Sequence, residues 1–317
     1  MNKTLRWLAP LSLLCFTATA NAGVSILSLV QTGTNTGNGL NAFYATDASG
    51  NPVDVLQPGD VLHTEVNFTT FNQTSDNVGG LTPVDEFTAI SQIDVTSATP
   101  IGTTGSYLFT FGPNASFENT FGTGSMIAFF DDTNHDYAQN YGDTTAPLSS
   151  GPKDSDAIAA LFSHGASNGS LFWVLGLPAG ATAPTVGWQA VMQGGNNLTN
   201  VANTNNYVVQ FANFNFALDR LMGGSVPAGI GDNIILNREP SNSSLFPFTG
   251  PADVLGSGSW NGVQDINTPF QAESTDQISF NSSGVVPEPG SLTVWGLIGL
   301  VFGGASWRHR RRLLALA

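Results

Sequence analysis

One cysteine occurs in 317 residues, and it is Cys15, inside a stretch that reads as a removable leader. A body without cysteine has no disulfide, no thiol nucleophile and no thiolate metal site. Positive charge is almost as scarce. Of nine Lys and Arg residues, six (Lys3, Arg6, Arg308, Arg310, Arg311 and Arg312) lie in the terminal segments. Only Lys153, Arg220 and Arg238 accompany all 23 acids between residues 23 and 288, a formal charge of −20. Such a body repels phosphate backbones, which argues against nucleic acid as a partner. It also lacks the Gly-Lys-Ser/Thr of a phosphate-binding loop. The histidines of the body, His63, His135 and His164, are scattered and form no His-Glu-x-x-His zinc pattern. Ser and Thr beside Gly recur throughout so polar a chain and single out no nucleophile.

Charged residues of both signs reach 10%, against roughly 25% in ordinary soluble domains. Gly, Asn, Ser and Thr take their place, while hydrophobic residues still make up 41%. Short strands joined by polar turns fit that balance better than helices do. The pattern between residues 23 and 284 is mostly period two. Strands are predicted at 24–30, 61–68, 87–95, 107–111, 126–130, 171–175, 187–192, 209–216, 234–236 and 278–280. One helix is predicted at 156–164, capped by Ser155 and stopped by Gly165. The stretch 196–206 reads as a loop or a linker, and 250–284 as a strand-poor surface loop. The expected fold is therefore all-β, an antiparallel β-sandwich with one short helix, as one elaborated sandwich or two smaller ones.

The first 22 residues read as a secretory signal peptide. Lys3 and Arg6 supply the positive region, residues 5–16 the apolar run, and Ala20-Asn21-Ala22 the small-x-small site for signal peptidase. Gly23 then starts the mature chain. A lipoprotein reading needs a small residue before Cys15, where Leu14 stands.

Asp131-Asp132-Thr133-Asn134-His135-Asp136 is the densest group of hard oxygen ligands, with Asp143 further on. Asp131, Asp132, Asn134, Asp136 and Asp143 are candidate calcium ligands, since Ca²⁺ takes six to eight oxygens. An EF-hand is rejected, because Tyr137 and Asp143 stand where its Gly and bidentate Glu belong. Asp131, Asp132, Asp136 and Glu118 could also serve a glycosidase, but nothing in the sequence sets their separation. Trp173, Trp188 and Trp260, with Phe214 and Phe216, could form a flat platform for sugar rings. Trp173 sits in an apolar run and reads as core; Trp260 sits among Gly and Ser and is the candidate glycan contact.

Residues 285–317 are organised differently. Pro287-Glu288-Pro289 precedes an apolar run at 292–307, followed by Arg308, His309, Arg310, Arg311 and Arg312. As a helix the run extends about 25 Å, slightly less than a ~30 Å hydrocarbon core. The arginines favour the cytoplasmic side, so the segment reads as a single transmembrane helix with the acidic body outside. The triplet, the apolar segment and the basic cluster together resemble the PEP-CTERM sorting signal of Gram-negative bacteria. That resemblance implies recognition by an exosortase, cleavage near Pro287, Glu288 and Pro289, and release or attachment at the cell surface. It also implies company with exopolysaccharide. Within 86–132, Glu86-Phe87-Thr88-Ala89, Phe109-Thr110-Phe111-Gly112-Pro113 and Ala128-Phe129-Phe130-Asp131-Asp132 are similar to the interior of other PEP-CTERM surface proteins of undefined role. The expected function is non-enzymatic: a structural or adhesive surface component that contacts extracellular polysaccharide. A calcium-dependent carbohydrate-binding module and a secreted polysaccharide hydrolase are its rivals.

Overall fold

The computed structural model describes residues 25–51, 53, 56–72, 74–75, 86–102, 106–132, 169–179, 181, 187–192, 207–208, 212–240, 248, 250–260, 263–264 and 272–285. The first strands are β1 Gly33–Thr46, β2 Val61–Phe71, β3 Thr74–Ser75, β4 Glu86–Ile101, β5 Ser106–Pro113 and β6 Ser125–Asp132. Next come β7 Ser170–Gly176, β8 Gly187–Met192, β9 Tyr207–Val208, β10 Ala212–Arg220, β11 Ile234–Asn237 and β12 Glu239–Pro240. The last are β13 Pro251–Ala252, β14 Val254–Trp260, β15 Val263–Gln264 and β16 Ala272–Val285. Two short α-helices, α1 Ile26–Leu29 and α2 Ala115–Phe121, and a 3-10 turn at Ile230–Asn233 accompany them.

The architecture is mostly antiparallel sheet, as composition and period-two patterning predict. Twelve strands form one sheet, and its pairing returns to its starting point. The circuit runs β1–β2–β4–β5–β8–β10–β14–β16 and back to β1, every pair antiparallel. β6 and β7 form a second bridge between β4 and β10. Apolar faces bury against each other as in a sandwich, yet they belong to one continuous closed sheet. Among the described residues closure gives most of each circuit strand a partner on both sides, leaving the end of β4 at 97–101 paired with β5 alone, and so limits edge-to-edge association.

Every strand of the circuit sends side chains into one core. Phe68, Phe87 and Phe129 stack there, with centroids 5.1 and 5.6 Å apart along the series. Trp173 packs edge-on to Phe280 at 4.8 Å. β1 and β14 are the exceptions in composition, being rich in Gly. At Gly37 an added Cβ would lie 3.0 Å from Ile278, and at Gly256 one would lie 2.0 Å from the Phe216 ring. These strands contribute room rather than bulk, and rings of neighbouring strands fill it.

Several expectations need correction. Residues 26–29 form α1 rather than a strand, because Ser25 Oγ accepts from the Leu27 N–H at 3.3 Å and Ile26 turns into the core. The stretch 250–284 is not a strand-poor loop, since β14 and most of β16 lie in it. Helices beyond the single expected one are present, α1, α2 and the 3-10 turn; the predicted helix 156–164 itself lies outside the described residues. α2 is made by its cap: Asn114 Oδ1 accepts from Ser116 N–H at 2.9 Å and from Phe117 N–H at 3.3 Å. Phe117 then buries against Ile90, Ala128 and Phe130 on the outer face of the sheet.

Candidate functional site: a polar girdle and the pole that carries both ends

Successive residues of a strand point to opposite faces, so buried rings impose an outward set between them. On β10 the outward set is Asn213 and Asn215, between the buried Phe214 and Phe216 and their neighbours. Asn215 stands opposite Ser257 on one side and Gln189 on the other. Ser257 stands opposite Gln277, and Gln277 opposite Asn38, which faces Thr70. In the other direction Gln189 faces Thr110, and Thr110 faces Ser97 with a 2.6 Å hydroxyl contact. An unbroken register row of amides and hydroxyls thus crosses all eight strands of the circuit without one charged member. Neighbouring strands lie ~4.8 Å apart, so the row repeats at that interval. Each of its groups can both donate and accept, or switch between the two. Asn38 and Gln277 are exposed and the other members half-buried, with Gln189 Oε1 turned away from solvent, so the exposed part of the row is what suits a ligand dense in hydroxyls.

The aromatic platform is not assembled. Trp173, Trp188, Phe214 and Phe216 are all buried, Trp188 and Phe216 with centroids 5.1 Å apart. Trp173 is core, as the apolar run predicts. Trp260 ends β14 opposite Ala212 and Ser274 instead of lying in a loop.

The second feature is one pole of the closed sheet. Ser282, near the end of β16, donates through Oγ to the Gln31 carbonyl at 2.6 Å. Asn35, fully buried, donates to the carbonyls of Gln31 and Gly33 at 2.8 and 3.0 Å. Its Oδ1 accepts from the Gln31 N–H and from Asn72 Nδ2. Asn72 adopts φ 48°, a left-handed conformation that Asn tolerates better than most residues. Ser25 Oγ donates to Asp131 Oδ2 at 2.6 Å on the same pole. The first described residues and the last are therefore clasped together.

Arg220 and Arg238 reinforce this pole. The Arg220 guanidinium donates to the carbonyls of Gly231, Asp232 and Ile234 at 3.2, 3.3 and 2.8 Å. It also lies 6.0 Å from the centre of the Trp173 ring, whose Nε1 donates to Gly231 at 2.7 Å. Arg238 donates to both carboxylate oxygens of Asp219. Both described arginines are thus engaged by the fold itself. Arg220→Lys is expected to lower stability by about 1–2 kcal/mol, because the three carbonyls are reached through Nη1 at the tip of the longer side chain, and the planar guanidinium beside Trp173 is lost. A melting curve of the purified body checks it, and an unchanged midpoint would remove the keystone role of Arg220.

Buried titratable groups on the outer face of β2 escaped sequence reading. Burial pushes the Glu65 carboxyl up to about 8 and the His63 imidazole down to about 4. His63 Nε2 is 3.1 Å from Thr46 Oγ1. Both groups are therefore mainly neutral near pH 7. Their alternation with Leu62, Thr64 and Val66 marks the face they occupy, but not that the face is covered.

The candidate calcium ligands divide. Asp131 and Asp132 close β6, buried and on opposite faces; Asn134, Asp136 and Asp143 lie outside the described residues. Among the described residues no group of three or more His, Cys, Asp or Glu side chains could hold a metal. Glu118 serves the fold: its Oε1 accepts from the Gly124 N–H at 2.6 Å. A Gly-x-Ser-x-Gly spacing does occur at Gly165-Ala166-Ser167-Asn168-Gly169. It leads into strand β7, whereas a nucleophile elbow leads from a strand into a helix. Ala20, Ala22, Pro287, Glu288, Pro289, Arg308, Arg310, Arg311 and Arg312 all lie outside the described residues. No helix among the described residues is long and apolar enough to cross a membrane, and the run 292–307 is not among them.

No curated protein and no solved structure matches the chain. One family model does, the PEP-CTERM protein-sorting motif, over residues 285–312. Its first residue, Val285, is also the last residue of β16, so the motif begins where the closed sheet ends. The chain therefore carries a PEP-CTERM sorting motif, which marks it as an exported, surface-associated protein processed by an exosortase.

Proposed function

We propose that the body is a non-catalytic matrix component that adheres to extracellular polysaccharide through its girdle of amides and hydroxyls. The uncharged register row from Ser97 to Thr70 carries this reading. Sugar hydroxyls pair with such groups, and a row repeating at each strand offers many weak contacts along one chain rather than a pocket for one unit. The acidity of the body adds a second element: divalent cations, calcium among them, bridge it to acidic polymer. Surface contact of this kind is adhesion, as in biofilm or floc formation.

The test replaces Asn215 and Gln277 together by Ala in the full-length protein. Both side chains point outward, so folding is expected to survive. Retention in the extracellular matrix is expected to fall roughly tenfold, the worth of one to two hydrogen bonds. Removal of divalent cations is expected to release further protein from acidic polymer. A deletion strain that aggregates, settles and retains its matrix like the parent would end this reading.

A further inference from the structure

The sorting motif has no linker. Val285 pairs with Ile234, and Pro287 follows only two residues later. Ser282 is held from three directions: by Gly33 of β1, by Leu236 of β11 and by the Gln31 carbonyl. An enzyme that cuts a peptide holds several residues on each side of the bond in extended form, with their backbone groups free. In β16 those groups already serve the sheet. We propose that Ser282 is a positioning residue for sorting cleavage: its clasp to Gln31 sets how far β16 frays, and so how readily the exosortase reaches the bond near Pro287, Glu288 and Pro289. This rests on exosortase processing of the tail.

The strand end is built to fray up to that point and no further. Pairing with β11 shifts between Ile235 and Leu236, and Gly284 beside the shift has φ 136° with open space around it. From Ser282 inward, β16 is paired along β1 and β14 and tied to Asn35 and Gln31. Local opening of such an end is in rapid equilibrium, and cutting draws on the open population. The clasp also joins the first described segment of the body to the last.

The experiment follows conversion of precursor to mature protein by pulse-chase and intact mass in the native host. A flexible spacer of about eight Gly and Ser residues between Val285 and Val286 supplies reach without touching the fold. It is expected to speed loss of the tail several-fold. Ser282→Ala is expected to speed it roughly fivefold, the worth of one lost hydrogen bond. With the spacer present, Ser282→Ala is expected to change nothing, which a general loss of stability would not reproduce. Wild-type rates in the spacer and Ser282→Ala variants overturn the inference while leaving exosortase processing intact. A tail retained by every variant and by the parent overturns both.

Discussion

Glu65→Gln is expected to stabilise the body at alkaline pH and to leave it nearly unchanged near pH 5. The folded carboxyl titrates near 8, raised by burial from an ordinary value of 4.5. Its contribution to stability is fully present below the unfolded value and is lost as pH rises through the folded one. His63 works in the opposite sense: its folded value is about 4, lowered by burial from 6.5. That contribution is present above the unfolded value and is lost as pH falls through the folded one. The two slopes offset each other between about pH 4.5 and 6.5, where stability should peak. At pH 9 the wild-type carries an ionised, buried Glu65, an effect on the order of 3 kcal/mol that the amide avoids. For a domain of this size that corresponds to roughly 6–12 °C in Tm. Melting points of the wild-type protein and the Glu65→Gln variant, measured side by side across pH 5–9, decide it. Curves that stay parallel over the whole range would mean that Glu65 is solvated after all.

Gly256→Ala is expected to be strongly destabilising. The added Cβ would lie 2.0 Å from Cζ and 2.1 Å from Cε1 of Phe216. That ring cannot retreat freely, because Trp188 sits 5.1 Å away and both are buried. Overpacking of this kind costs about 3 kcal/mol, and secreted yield should fall with it. Phe216→Leu alone also destabilises, by leaving a gap. The double substitution should nonetheless be better than the sum of the two, because the smaller side chain vacates the space the methyl needs. Strictly additive losses would show that Gly256 matters for its backbone and not for the ring beside it.

Most strands were legible because apolar residues alternate along much of β2, β4, β5 and β10 and form short unbroken runs in β6 and β7. β1 and β14 were not. Their inward positions are largely Gly, so neither bulk nor β-propensity betrays them, and the space they enclose is filled from Ile278, Phe68 and Phe216. Helix α2 was missed for a different reason: seven residues make too few turns for a period to emerge, and its signal was a single cap at Asn114. The aromatic platform failed on the same alternation that found the strands. Phe214, Phe216 and Trp188 share the inward face, which leaves Asn215, Ser257 and Gln277 outside.

The C-terminal sorting motif needed no tertiary information. A sorting address is read from a linear order of residues, here triplet, apolar run and arginines, and hydrophobicity and charge express it without folding. Acidity and the lack of cysteine are likewise properties of composition. Only the folded chain decided which polar residues line up across eight strands, and that β16 runs into the motif without slack. Register and closure are long-range: they depend on which strand pairs with which, and residues that become neighbours, such as Asn38 and Gln277, are far apart along the chain.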